Sequence, residues 1–225
     1  MFTRRARKGV PLATAIIGVG NLGSTVARHL VAGDEVVVLA AANEEHAKAL
    51  ADELGPNASA ASAEDAIAGA DVVVLATWLD QSRELVPTET RLLENKIVVD
   101  PSNPIGFGEN GQLIRTLPEG ESSGSVVAGL LPAGAHYGKA FGSLGADQLA
   151  TSANREPRVV LFYATDDDAA EATAQRLIRA AGFEPLKVGG VTEAGRIEGP
   201  DGELQGRIFD LDEARATIST EGAKT

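Results

Sequence analysis

The sequence predicts an α/β fold, a doubly wound and mostly parallel sheet with a small carboxyl-terminal α/β extension, on three observations. Runs rich in β-branched residues at Ala13 to Ile17, Glu35 to Leu39 and Asp71 to Ala76 are nearly continuous in apolar character, as strands buried on both faces of a parallel sheet must be. Between the first two, Leu22, Val26 and Leu30 recur at helical spacing and Gly33 ends the segment, which makes this stretch a βαβ unit. The same alternation continues, more loosely, through the second half of the chain.

The elements follow in order. Asn43 is placed to cap a helix whose Ala47, Leu50 and Leu54 face one way before Gly55 and Pro56 stop it. A weak strand and a short helix come next. The run Lys96 to Val99 is a further strand, broken by Asp100-Pro101-Ser102-Asn103-Pro104, with Gly106 and Gly108 continuing the loop. Strands are expected at His136 to Phe141, Val159 to Tyr163 and Pro185 to Val188. A helix over Asp168 to Ala181 is marked by acids at its start and by Gly182 at its end. Beyond Gly189 the pattern fades: Glu198 to Gly206 reads as a turn and Leu211 to Ile218 as a short terminal helix. The division expected is a basic leader over 1–11, a nucleotide-binding domain over 12–134 and a smaller portion over 135–225 that completes a substrate pocket.

Composition narrows the function. A 225-residue chain with 44% apolar and 23% charged residues is large enough to bury roughly 70% of its unfolded surface. Cysteine is absent, which excludes disulfides, thiolate nucleophiles and thiolate metal sites and fits a reducing, cytoplasmic setting. The net charge of -12 repels nucleic acid and anionic membranes. The one basic cluster, Arg4, Arg5, Arg7 and Lys8, reads as a solvated leader or as a group near a cofactor phosphate. No apolar run reaches the roughly 20 residues of a membrane helix.

Directly after the first strand stands Gly18-Val19-Gly20-Asn21-Leu22-Gly23, a GxGxxG that opens the first helix. In that context Gly18 permits the tight turn, Gly20 lets the backbone approach a pyrophosphate, and Gly23 lets helix and strand pack closely. Free N–H groups at the helix start then receive the phosphate charge. The bland alternative is a tight turn without a ligand. A phosphate-loop NTPase is excluded, because no lysine followed by Ser or Thr closes the loop. An acid roughly 20 residues on would mark NAD and an arginine NADP, and this sequence has neither. Its second strand ends in Ala40-Ala41-Ala42, followed by Asn43, Glu44, Glu45 and His46. Asn43, Glu44 or His46 would reach the ribose, or would be plain helix surface, so NAD and NADP both stay open.

The stretch from Thr14 to about Val188 resembles the NADPH-dependent coenzyme F-420 reductases. Four blocks carry the resemblance: the glycine loop, Thr77-Trp78, Lys96 to Asp100 running into Asn103-Pro104, and Lys139-Ala140-Phe141 leading to Leu144-Gly145-Ala146. It implies a Rossmann fold, a nicotinamide cofactor with NADPH favoured, a deazaflavin F-420-like co-substrate, hydride transfer, and frequently a dimer. Two departures stand out. Ala41 and Ala42 occupy the place where NADP-binding members usually carry Ser-Arg or Thr-Arg, and Val191 to Ile208 is polar and glycine-rich where the family generally ends in a hydrophobic helix.

Hydride transfer between two cofactor rings needs no protein nucleophile, so no certain catalytic residue is expected. Cofactor-binding candidates are Gly18, Gly20, Asn21, Leu22, Gly23, Asn43, Thr77, Trp78, Ser102 and Asn103. Trp78 either walls the nicotinamide or packs in the core. Ser102 and Asn103 either bond the carboxamide or cap the turn before Pro104. His136 and Lys139 lie on opposite faces of one strand, and Lys139 is the choice to meet an anionic acceptor. Competing functions are reduction of another acceptor (imine, hydroxy acid or flavin) and a non-catalytic nucleotide sensor.

Overall fold

The computed structural model describes residues 13–221, so the basic leader lies outside the described residues. The chain runs β1 (Thr14–Ile17), α1 (Asn21–Ala32), β2 (Val37–Ala40), α2 (Glu44–Leu54), β3 (Ala58–Ala60), α3 (Ala63–Gly69), β4 (Val72–Leu75), α4 (Leu79–Thr88), α5 (Thr90–Leu93) and β5 (Ile97–Asp100). A small hairpin, β6 (Ile105–Phe107) and β7 (Leu113–Arg115), is followed by α6 (Ser123–Leu130), β8 (His136–Ala140), α7 (Ala146–Ser152), β9 (Val160–Ala164), α8 (Asp168–Ala180) and β10 (Glu184–Gly189). A 3-10 helix, Val191–Ile197, and α9 (Leu211–Glu221) complete it.

Eight strands form one sheet in the order β10-β9-β8-β5-β4-β1-β2-β3. Neighbours are parallel except at β8 and β9, which run antiparallel. This is a Rossmann-type sheet with two strands added at one edge. β1 is paired with β2 on one side and β4 on the other, so the chain leaves β1 in one direction and returns across it. Crevices at the carboxyl ends of strands form at such a reversal.

Strand periodicity distributes the apolar side chains between two cores. Ile16, Val72, Val74 and Val99 face α1, α2, α7 and α8, where they meet Val26, Leu30, Leu50, Leu149, Leu177 and Ile178. Ala15, Ile17, Val73, Leu75 and Val98 face the other way and meet Ile67, Val86, Leu93 and Val127 of α3 to α6. Because successive side chains in a strand alternate, a continuous apolar run is what two covered faces demand. That is the reason β1, β4 and β5 were legible.

Two segments differ from expectation. The stretch after Pro104 forms a hairpin, closed by Gly108 N–H donating to Gln112 O at 2.8 Å and by Gly111 at φ 73°. The region after Gly189, polar in composition, packs a third core: Ala194, Ile197 and Leu204 join Val160, Phe162, Val188 and Phe209. Most of its few apolar residues point inward, Ile208 being exposed, which overall polarity hides. Among the described residues no helix is long and apolar enough to cross a membrane.

Candidate functional site

The loop between β1 and α1 is held by contacts that tolerate no side chain at two of its three glycines. Gly18 has φ 100°, and a Cβ there would lie 2.4 Å from Ala76 O. A Cβ on Gly23 would lie 2.0 Å from Gly18 O, so the helix can sit against the turn only if this residue is bare. Gly20 differs: it is exposed, its φ is -67°, and nothing approaches the position of a Cβ within 4 Å. It ends the turn as the N-cap of α1 with no side chain capping the helix. An open backbone at the positive end of a 12-residue helix suits a bound anion.

Beside this loop lies a cleft of about 630 Å³ between the glycine turn, the end of β2 and one side of α4. Its walls include Gly18, Gly20, Ala41, Ala42, Asn43 and His46. Thr77, Gln81, Glu84, Leu85 and Thr88 close it from α4 and the turn before it. This volume falls within the range of small-molecule sites. The α4 contribution was not anticipated from sequence. Its signal was present in the spacing of Gln81, Leu85 and Thr88, which puts them on one helical face.

The predicted residues divide into groups. Gly18, Gly20, Asn43 and Thr77 line the cleft. Asn43 also caps α2, its Oδ1 accepting from Glu45 N–H at 3.1 Å, and Thr77 Oγ1 is tied to Ser82 Oγ at 2.8 Å. Gly23 supports the turn, and Leu22 packs partly buried against the first core. Asn21 is exposed at the start of α1, where its carbonyl accepts from Ser24 and Thr25 hydroxyls.

Trp78 is not core. It is 48% exposed and meets Phe107 of the hairpin edge to face, the centroids 5.7 Å apart. This aromatic pair stands next to Thr77, at the carboxyl end of β4.

The next strand end is locked by buried polar groups. Asp100 accepts from Tyr137 OH at 2.7 Å and is 3.2 Å from Lys139 Nζ. Lys139 also lies 3.4 Å from Glu198 and donates to Ser123 Oγ at 2.7 Å and to Ser102 O. Lys139 and Asp100 are fully buried and Glu198 nearly so. The expectation that Lys139 meets an acceptor is therefore corrected: strand alternation puts it beside Tyr137 on the inward side, where two carboxylates hold it. Burial pushes the Tyr137 hydroxyl well above its ordinary value, and the Asp100 charge adds to the effect. Glu198, missed from sequence, accepts from Ser123 and Gly124 N–H at 2.8 Å each at the start of α6. No sequence spacing connects it to these partners.

Asn103 is likewise committed to the fold. Its amide donates to Gly142 O and accepts from Gly199 N–H, each at 3.0 Å, which is closer to the turn-fixing alternative than to a carboxamide contact. Ser102 Oγ is buried without a hydrogen-bond partner, and thus keeps capacity for one. On the opposite strand face His136 Nδ1 pairs with Asp167 at 2.7 Å. Among the described residues no cluster of His, Cys, Asp and Glu is arranged to hold a metal.

The sheet and the strand–glycine turn–helix unit are of the Rossmann type. Residues 13–104 match the model of the family of NADP oxidoreductases described as coenzyme F420-dependent, the family that the sequence resembles over that stretch. Among solved structures, a hypothetical protein from Sinorhizobium meliloti is 29% identical, with a TM-score of 0.79 over 89% of this chain and 96% of the other. A protein of Arthrobacter sp. FB24 assigned as an F420-dependent NADP reductase is 23% identical, with a TM-score of 0.71 over 81% and 87%. The reductive aminase of Aspergillus terreus, bound to NADPH and ethyl levulinate, shares the fold at 16% identity and a TM-score of 0.57. That match takes in 95% of this chain but only 62% of the aminase. Among curated proteins, none matches the sequence.

Proposed function

We propose that the chain transfers a hydride between a nicotinamide dinucleotide and a deazaflavin acceptor of the F-420 type. The observation that carries the reading is the bare, uncapped Gly20 at the mouth of the cleft between the glycine turn, the end of β2 and α4, within the span that matches the F420-dependent family. A pyrophosphate seated there would lie against main-chain N–H groups, with Gly18 and Gly23 holding the turn.

When bound, the nicotinamide supplies or accepts the hydride. The protein's part is to orient flat rings with reacting atoms about 3 to 3.5 Å apart and to exclude water. Thr77, Trp78 and Phe107 stand where β4 and the hairpin approach each other, and we assign the two aromatic rings to the wall of the acceptor side. Ser102 Oγ is the polar group assigned to the carboxamide. Lys139, Asp100 and Glu198 act beneath the site, holding the ends of β5, β8 and α6 in register.

Reduction of an imine or a hydroxy acid is the competing reading, since the aminase shares the fold. Assembly as a homodimer goes with the family reading and is checked by sedimentation. Fluorescence titration with NADH and NADPH, followed by absorbance assays with oxidised and reduced F-420, tests the proposal. Binding with deazaflavin turnover supports it. Binding without turnover on any acceptor points to a sensor, and turnover only with another acceptor removes the deazaflavin assignment.

A further inference from the structure

The cleft carries the wrong charge for one of the two common nicotinamide dinucleotides. NADPH differs from NADH by a phosphate on the adenosine ribose, a monoester with about -1.5 to -2 charges near neutral pH. In a Rossmann site that ribose lies at the end of the second strand, where arginine accommodates the phosphate. Here the end of β2 presents the methyl groups of Ala41 and Ala42. Among the described residues lining the cleft there is no lysine or arginine, and Glu84 stands in the α4 wall.

The neighbouring groups do not make up the deficit. The first turn of α2 carries the exposed carboxylates of Glu44 and Glu45, and the helix start is already capped by Asn43 Oδ1. The guanidinium groups on the flanking helices are engaged: Arg28 pairs with Glu53 and Arg83 lies 3.7 Å from Asp80. Lys48, the one lysine of α2, is not in the cleft wall. A ribose hydroxyl, by contrast, is uncharged and finds polar partners of its own kind in Asn43 and His46.

We infer that this site selects NADH over NADPH, an inference that rests on the nucleotide reading proposed above. Discrimination arises from what is unfavourable for the wrong ligand as much as from what favours the right one. Among its described lining residues the cleft offers the added phosphate no lysine or arginine, and it sets Glu84 and the methyl groups of Ala41 and Ala42 in its walls.

Isothermal titration calorimetry of the full chain with NADH and with NADPH, at matched ionic strength, tests this. The expected result is NADH binding at least about tenfold tighter, a difference of ~1.4 kcal/mol. Ala42 is exposed, so Ala42→Arg is compatible with the fold. It is expected to tighten NADPH at least about tenfold relative to NADH. NADPH binding as tightly as NADH, or tighter, overturns the inference and directs attention to Arg4, Arg5, Arg7 and Lys8 as the source of positive charge. Heat from neither nucleotide is a separate result, which overturns the nucleotide reading and this inference with it.

Discussion

Gly18, Gly20 and Gly23 occupy one motif under three different constraints, and single substitutions separate them. Alanine at Gly18 meets both a left-handed φ and the Ala76 carbonyl, while alanine at Gly23 collides with the Gly18 carbonyl. Each is expected to lower unfolding stability by about 1 to 3 kcal/mol, or more where the backbone cannot shift. Alanine at Gly20 meets nothing and is expected to change stability by less than about 0.5 kcal/mol, as at an ordinary surface site. Urea denaturation of the three variants checks this, and equal losses at all three would show that the loop is a structural turn throughout. The roles of these glycines were legible because each follows from backbone geometry, which a glycine in a strand-to-helix turn announces directly. Lys139 was misread for the complementary reason. Its charge suggested an anionic acceptor as partner, whereas Asp100 and Glu198, 39 and 59 residues away along the chain, hold it buried.

At the scale of elements, that buried cluster joins β5, β8, α6 and the segment after the 3-10 helix. Removing one member of a buried ionic network leaves its partners charged and unpaired, at a cost of about 3 to 5 kcal/mol. Lys139→Ala is therefore expected to destabilise the protein by that amount in denaturant unfolding. A loss below about 1 kcal/mol would mean that water reaches the two carboxylates. A second tie lies between α8 and β10, where Lys187 pairs with Glu171, which also accepts from Tyr163 OH at 3.1 Å. The hydrogen bond from Lys187 holds the Glu171 carboxyl below its ordinary value, against an opposing effect of burial, and Tyr163 adds to the lowering. Glu171 in turn raises Lys187.

The pH dependence of this pair follows from the two directions. A carboxylate with a lowered folded value contributes stability that is complete above its unfolded value of about 4.3 and is lost as pH falls through the folded one. A lysine with a raised folded value contributes fully below about 10.4 and loses its contribution as pH rises through the folded one. Wild type and Glu171→Gln are thus expected to differ most between about pH 5 and 9 and to converge below about pH 4. A gap in urea midpoint that persists undiminished to pH 3 would contradict the assignment. The hairpin β6–β7 escaped the sequence reading because its strands are three residues each, with Gly106 inside β6, too short for alternation to register. The β8–β9 reversal escaped as well, since strand direction is set by the path of the connection and not by the strand's own residues.

Across the whole molecule, what could be read in advance was what depends on local chemistry: the strands through β5 and the helices up to β4, the glycine turn, and the capping of α2 by Asn43. What could not be read depends on long-range packing. The cleft wall from α4, the pairing of Trp78 with Phe107, and the inward turn of the polar tail onto β9 and β10 all join residues remote in sequence. The same division explains the cofactor question, since the absence of an arginine after β2 was visible in the chain, whereas the missing compensation from neighbouring elements became visible only when they were folded around the cleft.

The central claim is that a dinucleotide pyrophosphate rests on the exposed backbone at Gly20. Calorimetric titration of wild type and Gly20→Asp with NADH and with NADPH tests it most directly, because the fold has room for the new side chain while a carboxylate would occupy the place of the phosphates. The account predicts measurable binding of at least one nucleotide by wild type, its loss in the variant, and unchanged thermal unfolding of the free protein. Equal nucleotide affinity in the two proteins would contradict it.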